Sequence, residues 1–242
     1  MAGHSHWKQV KHKKGAADTK RGQVFSKLVK EITIAARAGS TDPATNPRLR
    51  SALERAAAVG LPKENRERAV ARASGSGPDA ELFEVLYEAA APGGIAILVE
   101  AITDNRNRTV NELKHLLSLQ GARLAEPGSL AWNFEKIGVM EIAAGANPTE
   151  TKEDMENAII ESGAADFHDR DGIWRVETAY ADLVKVRGSL ERAGIAVKET
   201  GHSYKPRAPV ALHQDARASL ERLLDALSEH DDIQEAYTNL RE

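Results

Sequence analysis

Between residues 135 and 205 the apolar pattern switches between a period of two and a period of about 3.6, in an order that few folds accept. Strand-like runs near 138–142, 165–168, 173–178 and 195–203 alternate with helical runs at 149–162 and 180–193. The order is βαββαβ, the ferredoxin-like split βαβ plan, and it is complete within this stretch. A unit that closes its own sheet needs no strand from elsewhere, so the flanking sequence must build separate cores.

On the N-terminal side, FEVLYEAA (83–90) and GIAILVEAIT (94–103) are strand-like and are joined by a turn of the APGG type at 91–94. A helix spans about 106–119 and stops at Gly121, and a short strand is expected around Leu130 to Phe134. On the C-terminal side, a helix at 213–229 carrying Leu220, Leu223, Leu224 and Leu227 precedes a strand at 233–237, and these two elements have no core of their own. The economical solution returns them to the sheet of 81–134, leaving 135–205 inserted, with Lys205 to Pro209 as the exit linker.

Residues 1–75 read as helical. An apolar arc of Val24, Phe25, Leu28, Val29, Ile32, Ala35 and Ala36 runs to Gly39, with Asp18 or Thr19 as the cap and Lys20, Lys27, Lys30 and Arg37 on the opposite arc. Asn46 and Pro47 signal the start of a second helix through Leu49, Leu53, Ala56 and Ala57, and Pro62 opens a third. SGSGPDA at 74–80 reads as a connector. The expected class is α+β with three domains: a three-helix domain at 1–75 and two ferredoxin-like α/β domains, one discontinuous at 81–134 and 206–242 and the other inserted at 135–205.

Several function classes fall away on composition and motif. There is no cysteine, hence no disulfide framework, thiolate nucleophile or Cys-ligated zinc. No apolar run of about 18 residues is present to span a bilayer, and the first residues lack a secretory apolar stretch, so a cytoplasmic location without membrane partners is expected. The basic leader is rich in Lys and His rather than the Arg and Ser of transit peptides. Phosphate-loop, dinucleotide-binding and nucleophile-elbow motifs are all missing, so no catalytic residue, cofactor or metal is assigned. The carboxylates at Asp166, Asp169 and Asp171 lack the glycine and distal Glu of a calcium loop and read as a polar hairpin.

What remains is charge. Residues 1–72 contain 16 Lys and Arg against 6 Asp and Glu, a net of +10, whereas the rest carries 17 against 30, a net of −13. The overall −3 hides a local field suited to polyanions. Nine of the basic residues fall between 1 and 37, interleaved with Trp7 and three histidines. Lysines that neutralise phosphates release counterions, and Trp7 can stack on an unpaired base. His4, His6 and His12, with Asp18, form a poor metal set and fit phosphate contact better. TDNRNRT at 103–109 places Asp104 and Asn105 as helix caps, with Arg106 and Arg108 as a second anion contact at a helix N-terminus.

With these residues in view, the chain resembles the YebC-like family of transcriptional regulators and translational activators over its whole length. AGHSHW with KHKKGAADTKRGQVFSKL, NPRLRSALERA, YEAAAPGGIAILVEAITDNRNRT and DDIQEAYTNL carry the likeness. The resemblance implies three domains and a regulatory rather than catalytic role, with DNA as target for many members and the ribosome for others. Mapped onto this sequence, it implies a basic surface of Lys8, Lys11, Lys13, Lys14, Lys20, Arg21, Lys27 and Lys30. The leader reads HSHW where HSKW also fits, so His6 replaces one fixed charge.

The function expected is therefore nucleic-acid-binding regulation, most simply as a DNA-binding transcriptional regulator. Translational activation through RNA or the ribosome is the alternative, and the competing classes are a carboxylate-metal nuclease and a protein adaptor. The candidate contacts are His6, Trp7, Lys8, Lys11, Lys13, Lys14, Lys20, Arg21, Lys27, Lys30, Arg106 and Arg108. The acidic α/β domains are expected to meet protein partners.

Overall fold

The computed structural model describes residues 17–74, 81–143, 151–170 and 172–241. The chain divides into two compact units, one formed by 1–135 with 205–242 and the other by 136–204.

The first unit begins with three helices: α1 (Ala17–Arg37), α2 (Pro47–Ala58) and α3 (Lys63–Ser74). They enclose a core of Leu28, Ile32, Ala35, Ala36, Leu49, Ala52, Ala56, Leu61 and Ala69. Small alanines at the contacts let the helices approach closely, and the aliphatic residues fill the gaps between them. Asn46 caps α2, its Oδ1 accepting from the Leu49 amide at 3.0 Å. Its Nδ2 donates to the carbonyls of Ala35 (2.8 Å) and Ser40 (2.7 Å), so one buried side chain ties the end of α1 to the start of α2. Asp18 and Thr19 lie inside α1, which starts at Ala17.

The same unit contains a four-stranded sheet built from β1 (Phe83–Ala91), β2 (Ile95–Thr103), β3 (Arg123–Leu124) and β8 (Ile233–Thr238), in the order β3-β1-β2-β8. β1 and β2 form an antiparallel hairpin in register from Phe83↔Thr103 to Ala91↔Ile95. Gly93 and Gly94 in its turn have φ near +79°, a conformation that L side chains resist. Helices α4 (Arg106–Leu119) and α7 (Gln214–Ser228) cover one face, joining Leu113, Leu117, Leu220, Leu223, Leu224 and Leu227 to Tyr87, Ala89, Ile95, Ile97, Val99 and Ala101. The sheet is antiparallel throughout and covered by two helices on one face, as a ferredoxin-like layer is. Its chain connections differ, because the two central strands are joined directly and the last edge strand arrives from the C-terminus.

The second unit has β4 (Phe134–Ala143, entering from the first unit), α5 (Lys152–Glu161), β5 (Asp166–Arg170), β6 (Ile173–Ala179), α6 (Leu183–Arg192) and β7 (Val197–Pro206), with sheet order β5-β6-β4-β7. The first and third strands are central, as the βαββαβ plan requires. Met140, Ile142, Trp174 and Val176 meet Met155, Ile159, Val186 and Leu190 in its core. Gly138 admits α6, since a Cβ there would lie 2.8 Å from Leu183 Cδ1.

The segment before β4 differs from expectation. Instead of a strand around 130–134, a 3-10 turn at Ala131–Asn133 leads directly into β4, and the two-residue β3 pairs with β1. The buried carboxylate of Glu88 is the reason. It accepts from the amides of Gly128 (2.5 Å), Leu130 (2.6 Å) and Ala131 (2.9 Å), so this backbone is held in a loop rather than a ladder.

Candidate nucleic-acid interface

Of the residues expected to contact nucleic acid, His6, Trp7, Lys8, Lys11, Lys13 and Lys14 lie outside the described residues, and Lys20 is placed on α1 by its backbone alone. Arg21 is exposed on the first turns of α1, its guanidinium 5.9 Å from the centroid of the Phe25 ring. Arg106 is exposed at the start of α4, stacked over Phe83 at 4.3 Å.

Lys27 and Lys30 are placed differently from the exposed arc that α1's periodicity suggests. Lys27 is only 6% exposed, and its Nζ donates to the carbonyl of Ser228 at 2.6 Å. Lys30 donates to the carbonyl of Asp231 at 3.1 Å and pairs with Asp232 Oδ1 at 2.6 Å. Gln23 joins them through the carbonyl of Glu229 at 3.2 Å. Positions 23, 27 and 30 form one stripe along the helix, which rests on the C-terminal end of α7 and the turn after it. A single-helix periodicity registers one packing face, whereas α1 has a second neighbour that accepts lysines through oxygen. Burial takes water from the Lys27 ammonium and lowers its pKa to about 8, with Glu235 and Asp231 opposing the shift.

Asp232 sits at the centre of this seat. Arg108 reaches its Oδ2 at 2.8 Å, the Thr109 hydroxyl donates to the same oxygen at 2.8 Å and Thr103 does so at 3.2 Å. Burial would push its carboxyl upward, but the hydrogen bonds from Lys30, Arg108 and Thr109 prevail and hold it far below the usual carboxylate range. Asn105 caps α4 as its spacing suggests, accepting from the Arg108 amide at 3.0 Å, and Thr103 Oγ1 accepts from the Asn105 amide at 2.9 Å. Asp104 turns to Arg108 at 2.8 Å instead of capping. The two candidate arginines of this loop therefore have distinct surroundings: Arg106 lies over a ring and Arg108 grips two carboxylates.

A cleft of about 700 Å³ opens beside this cluster, with Ser26, Lys30, Thr33 and Arg37 of α1 along one wall and Asp104, Arg108 and Asp232 along another. Among the described residues, Glu112, His230 and Asp232 form a trio whose ligand atoms lie within 4.8 Å of one another. Their hydrogen bonds do not suit a cation. His230 Nδ1 accepts from the Asp232 amide at 3.1 Å, which leaves the proton on Nε2, 2.9 Å from Glu112 Oε2. The nitrogen that would face a metal is thus a donor, and both oxygens of Asp232 already hold cations.

Residues 5–76 match the family described as the TACO1/YebC protein N-terminal domain, and residues 82–240 match the TACO1/YebC second and third domain. The chain belongs to the TACO1/YebC family. Relatives named probable transcriptional regulatory protein include one from Desulfosudis oleivorans, 44% identical over 99% of this chain and 96% of its own length. Another from Thermotoga maritima is 43% identical over 99% and 93%, and one from Pelotomaculum thermopropionicum is 40% identical over 99% and 98%. A crystal structure of a conserved hypothetical protein from Aquifex aeolicus superposes with a TM-score of 0.86 at 37% identity, covering 98% of this chain and 97% of that one. Within the TACO1/YebC architecture, Asp232, His230 and Glu112 are the residues that sequence reasoning missed. Asp232 lies in the DDIQEAYTNL segment that carries the family likeness, but only the fold brings it to Lys30. No helix among the described residues is long and apolar enough to cross a membrane.

Proposed function

We propose that this TACO1/YebC protein is a DNA-binding regulator of transcription acting in the cytoplasm, whose basic leader and first helix grip the phosphate backbone. The observation that carries this reading is the segregation of charge, +10 within residues 1–72 against −13 in the remainder. Such a gradient orients the chain on a polyanion and keeps its acidic part away. The contact set is His6, Trp7, Lys8, Lys11, Lys13, Lys14, Lys20 and Arg21, with Arg106 as an outlying contact. In the described state Lys27, Lys30 and Arg108 hold oxygens of the protein itself. The acidic α/β part is left to protein partners. Relatives described as probable transcriptional regulatory proteins support transcription over translation as the process regulated, and hence DNA as the target.

Replacing Lys11, Lys13, Lys14 and Lys20 with Ala tests the reading. Affinity for duplex DNA should fall at every sequence tried, and the slope of log affinity against log salt should shrink by about 0.9 per lost contact. Losses confined to structured RNA or ribosomes would move the function to translational activation. Unchanged affinity and slope on all three would reduce the leader to a solvated face and favour an adaptor.

A further inference from the structure

On one stripe of α1 the polar ends of Gln23, Lys27 and Lys30 meet oxygen: the carbonyls of Ser228, Glu229 and Asp231, and the carboxylate of Asp232. Three of these acceptors lie at or just beyond the C-terminus of a 15-residue helix, where carbonyls lack helical partners and the macrodipole is negative. Glu229 and Asp231 add their carboxylates to that of Asp232 within the same short turn. A row of cations facing backbone oxygens and fixed negative charge is the arrangement that a phosphate backbone would supply. We infer that the 228–232 turn is an intramolecular mimic of phosphate, which occupies one face of α1 and must be displaced before nucleic acid can use that face. This inference rests on the nucleic-acid reading of α1 given above.

Three further observations support an exchangeable contact. The apolar cluster of the three helices shares no residue with the cluster between the sheet and its two covering helices. Asp232 keeps Arg108, Thr103 and Thr109 when Lys30 leaves, so the turn is satisfied in both states. Lys27 has given up water for one carbonyl, and a lysine held this way gains little from staying docked. The stripe continues towards the N-terminus through Lys20, so a polyanion tracking down α1 from the leader runs into the acidic turn.

The chain has no cysteine, so the full-length Gln23→Cys/Glu229→Cys variant carries a single thiol pair where the Gln23 side chain meets the Glu229 backbone, and only protein shown by thiol titration to have closed the disulfide serves as the oxidised form. Oxidised, it locks α1 to the turn; reduced, it frees α1. The reduced form should bind duplex DNA more tightly, with a salt slope steeper by about 1.8, the contribution of two added lysine contacts. An independent arm uses Asp232→Asn, which should tighten binding and steepen the slope, and Lys27→Ala/Lys30→Ala, which undocks without supplying cations and should show no gain. Equal affinity and slope for the oxidised and reduced forms, or for wild type and Asp232→Asn, would overturn the mimic while leaving the leader reading intact. Absence of nucleic-acid binding by any form would overturn both.

Discussion

Lys30 and Asp232, 202 residues apart in sequence, meet at 2.6 Å across the boundary between the three-helix layer and the α/β layer. The carboxylate side chain is 3% exposed, whereas the lysine keeps 21% of its surface. This asymmetry gives the pair a pH signature. A carboxyl whose folded pKa is depressed contributes stability above the unfolded value, about 3.9, and loses it as pH falls towards the folded value. We expect wild-type stability to decline through the range below about pH 5 more steeply than that of Asp232→Asn. Parallel urea titrations from pH 7 to pH 2.5 would show it, and identical pH profiles would refute it. At pH 7, Asp232→Ala should cost about 2–3 kcal/mol through charged hydrogen bonds lost to Lys30 and Arg108 and hydroxyl donors left without an acceptor.

Lys27 predicts a slope of the same sign in a higher pH window, although its own contribution at neutrality is unfavourable. Its folded pKa of about 8 lies below the ordinary lysine value of 10.5, so the unfolded chain binds more protons between the two values. Stability due to this residue therefore rises with pH across that window, by about 3 kcal/mol in total, and is lowest near neutrality. Lys27→Met keeps the stem, discards the charge and should remove the rise. Melting temperatures of wild type and variant measured from pH 7 to 10.5 should converge or cross with increasing pH; a constant offset would count against the burial of a titrating amine.

Most of the fold is legible in the sequence because its signals are local. The alternation in FEVLYEAA, the nearly continuous apolar run GIAILVEAIT, the cap at Asn46 and the leucines of 220–227 each fix an element from within a few residues. The βαββαβ order identifies the second unit because that plan closes on itself. The candidate site is much less legible. The basic density of the leader is a compositional fact, but whether a lysine on α1 faces water or the 228–232 turn depends on a contact some 200 residues distant. Periodicity assigns Lys27 to the polar arc since it registers only the strongest apolar face. The loop that replaces the expected strand at 130 is held by a single buried acid, Glu88, whose role cannot be inferred from its neighbours in sequence.

That acid supports its own prediction. Glu88 satisfies three amides of the 128–131 loop from β1, in a position with little water to replace it. Glu88→Ala should cost about 2–4 kcal/mol, since each orphaned buried donor carries a desolvation penalty of about 1–3 kcal/mol and part is recovered by loop movement. Hydrogen exchange should quicken at Gly128, Leu130 and Ala131 well beyond the global destabilisation. Retained protection at those three amides would show that the loop is held by other means.

Asn46 gives the most discriminating test of the helical layer, because its three hydrogen bonds fall on three different segments: the α2 amide of Leu49, the α1 carbonyl of Ala35 and the linker carbonyl of Ser40. Loss of an N-cap alone costs about 1 kcal/mol. Stranding the two carbonyls adds to this, so Asn46→Ala should lose about 2–3 kcal/mol in total. Asn46→Asp separates the two contributions. It retains the acceptor that caps α2 and favours the positive end of the helix dipole, but it has no donor for Ala35 or Ser40 and sets a charge against their oxygens. If the inter-helix bonds dominate, Asn46→Asp will be at least as unstable as Asn46→Ala in urea melts; if capping dominates, it will resemble wild type. The 7% exposure of Asn46 and the 2.7–2.8 Å length of both donor bonds favour the first outcome. An Asn46→Asp variant as stable as wild type would mean that the carbonyls of Ala35 and Ser40 find water once the amide is gone.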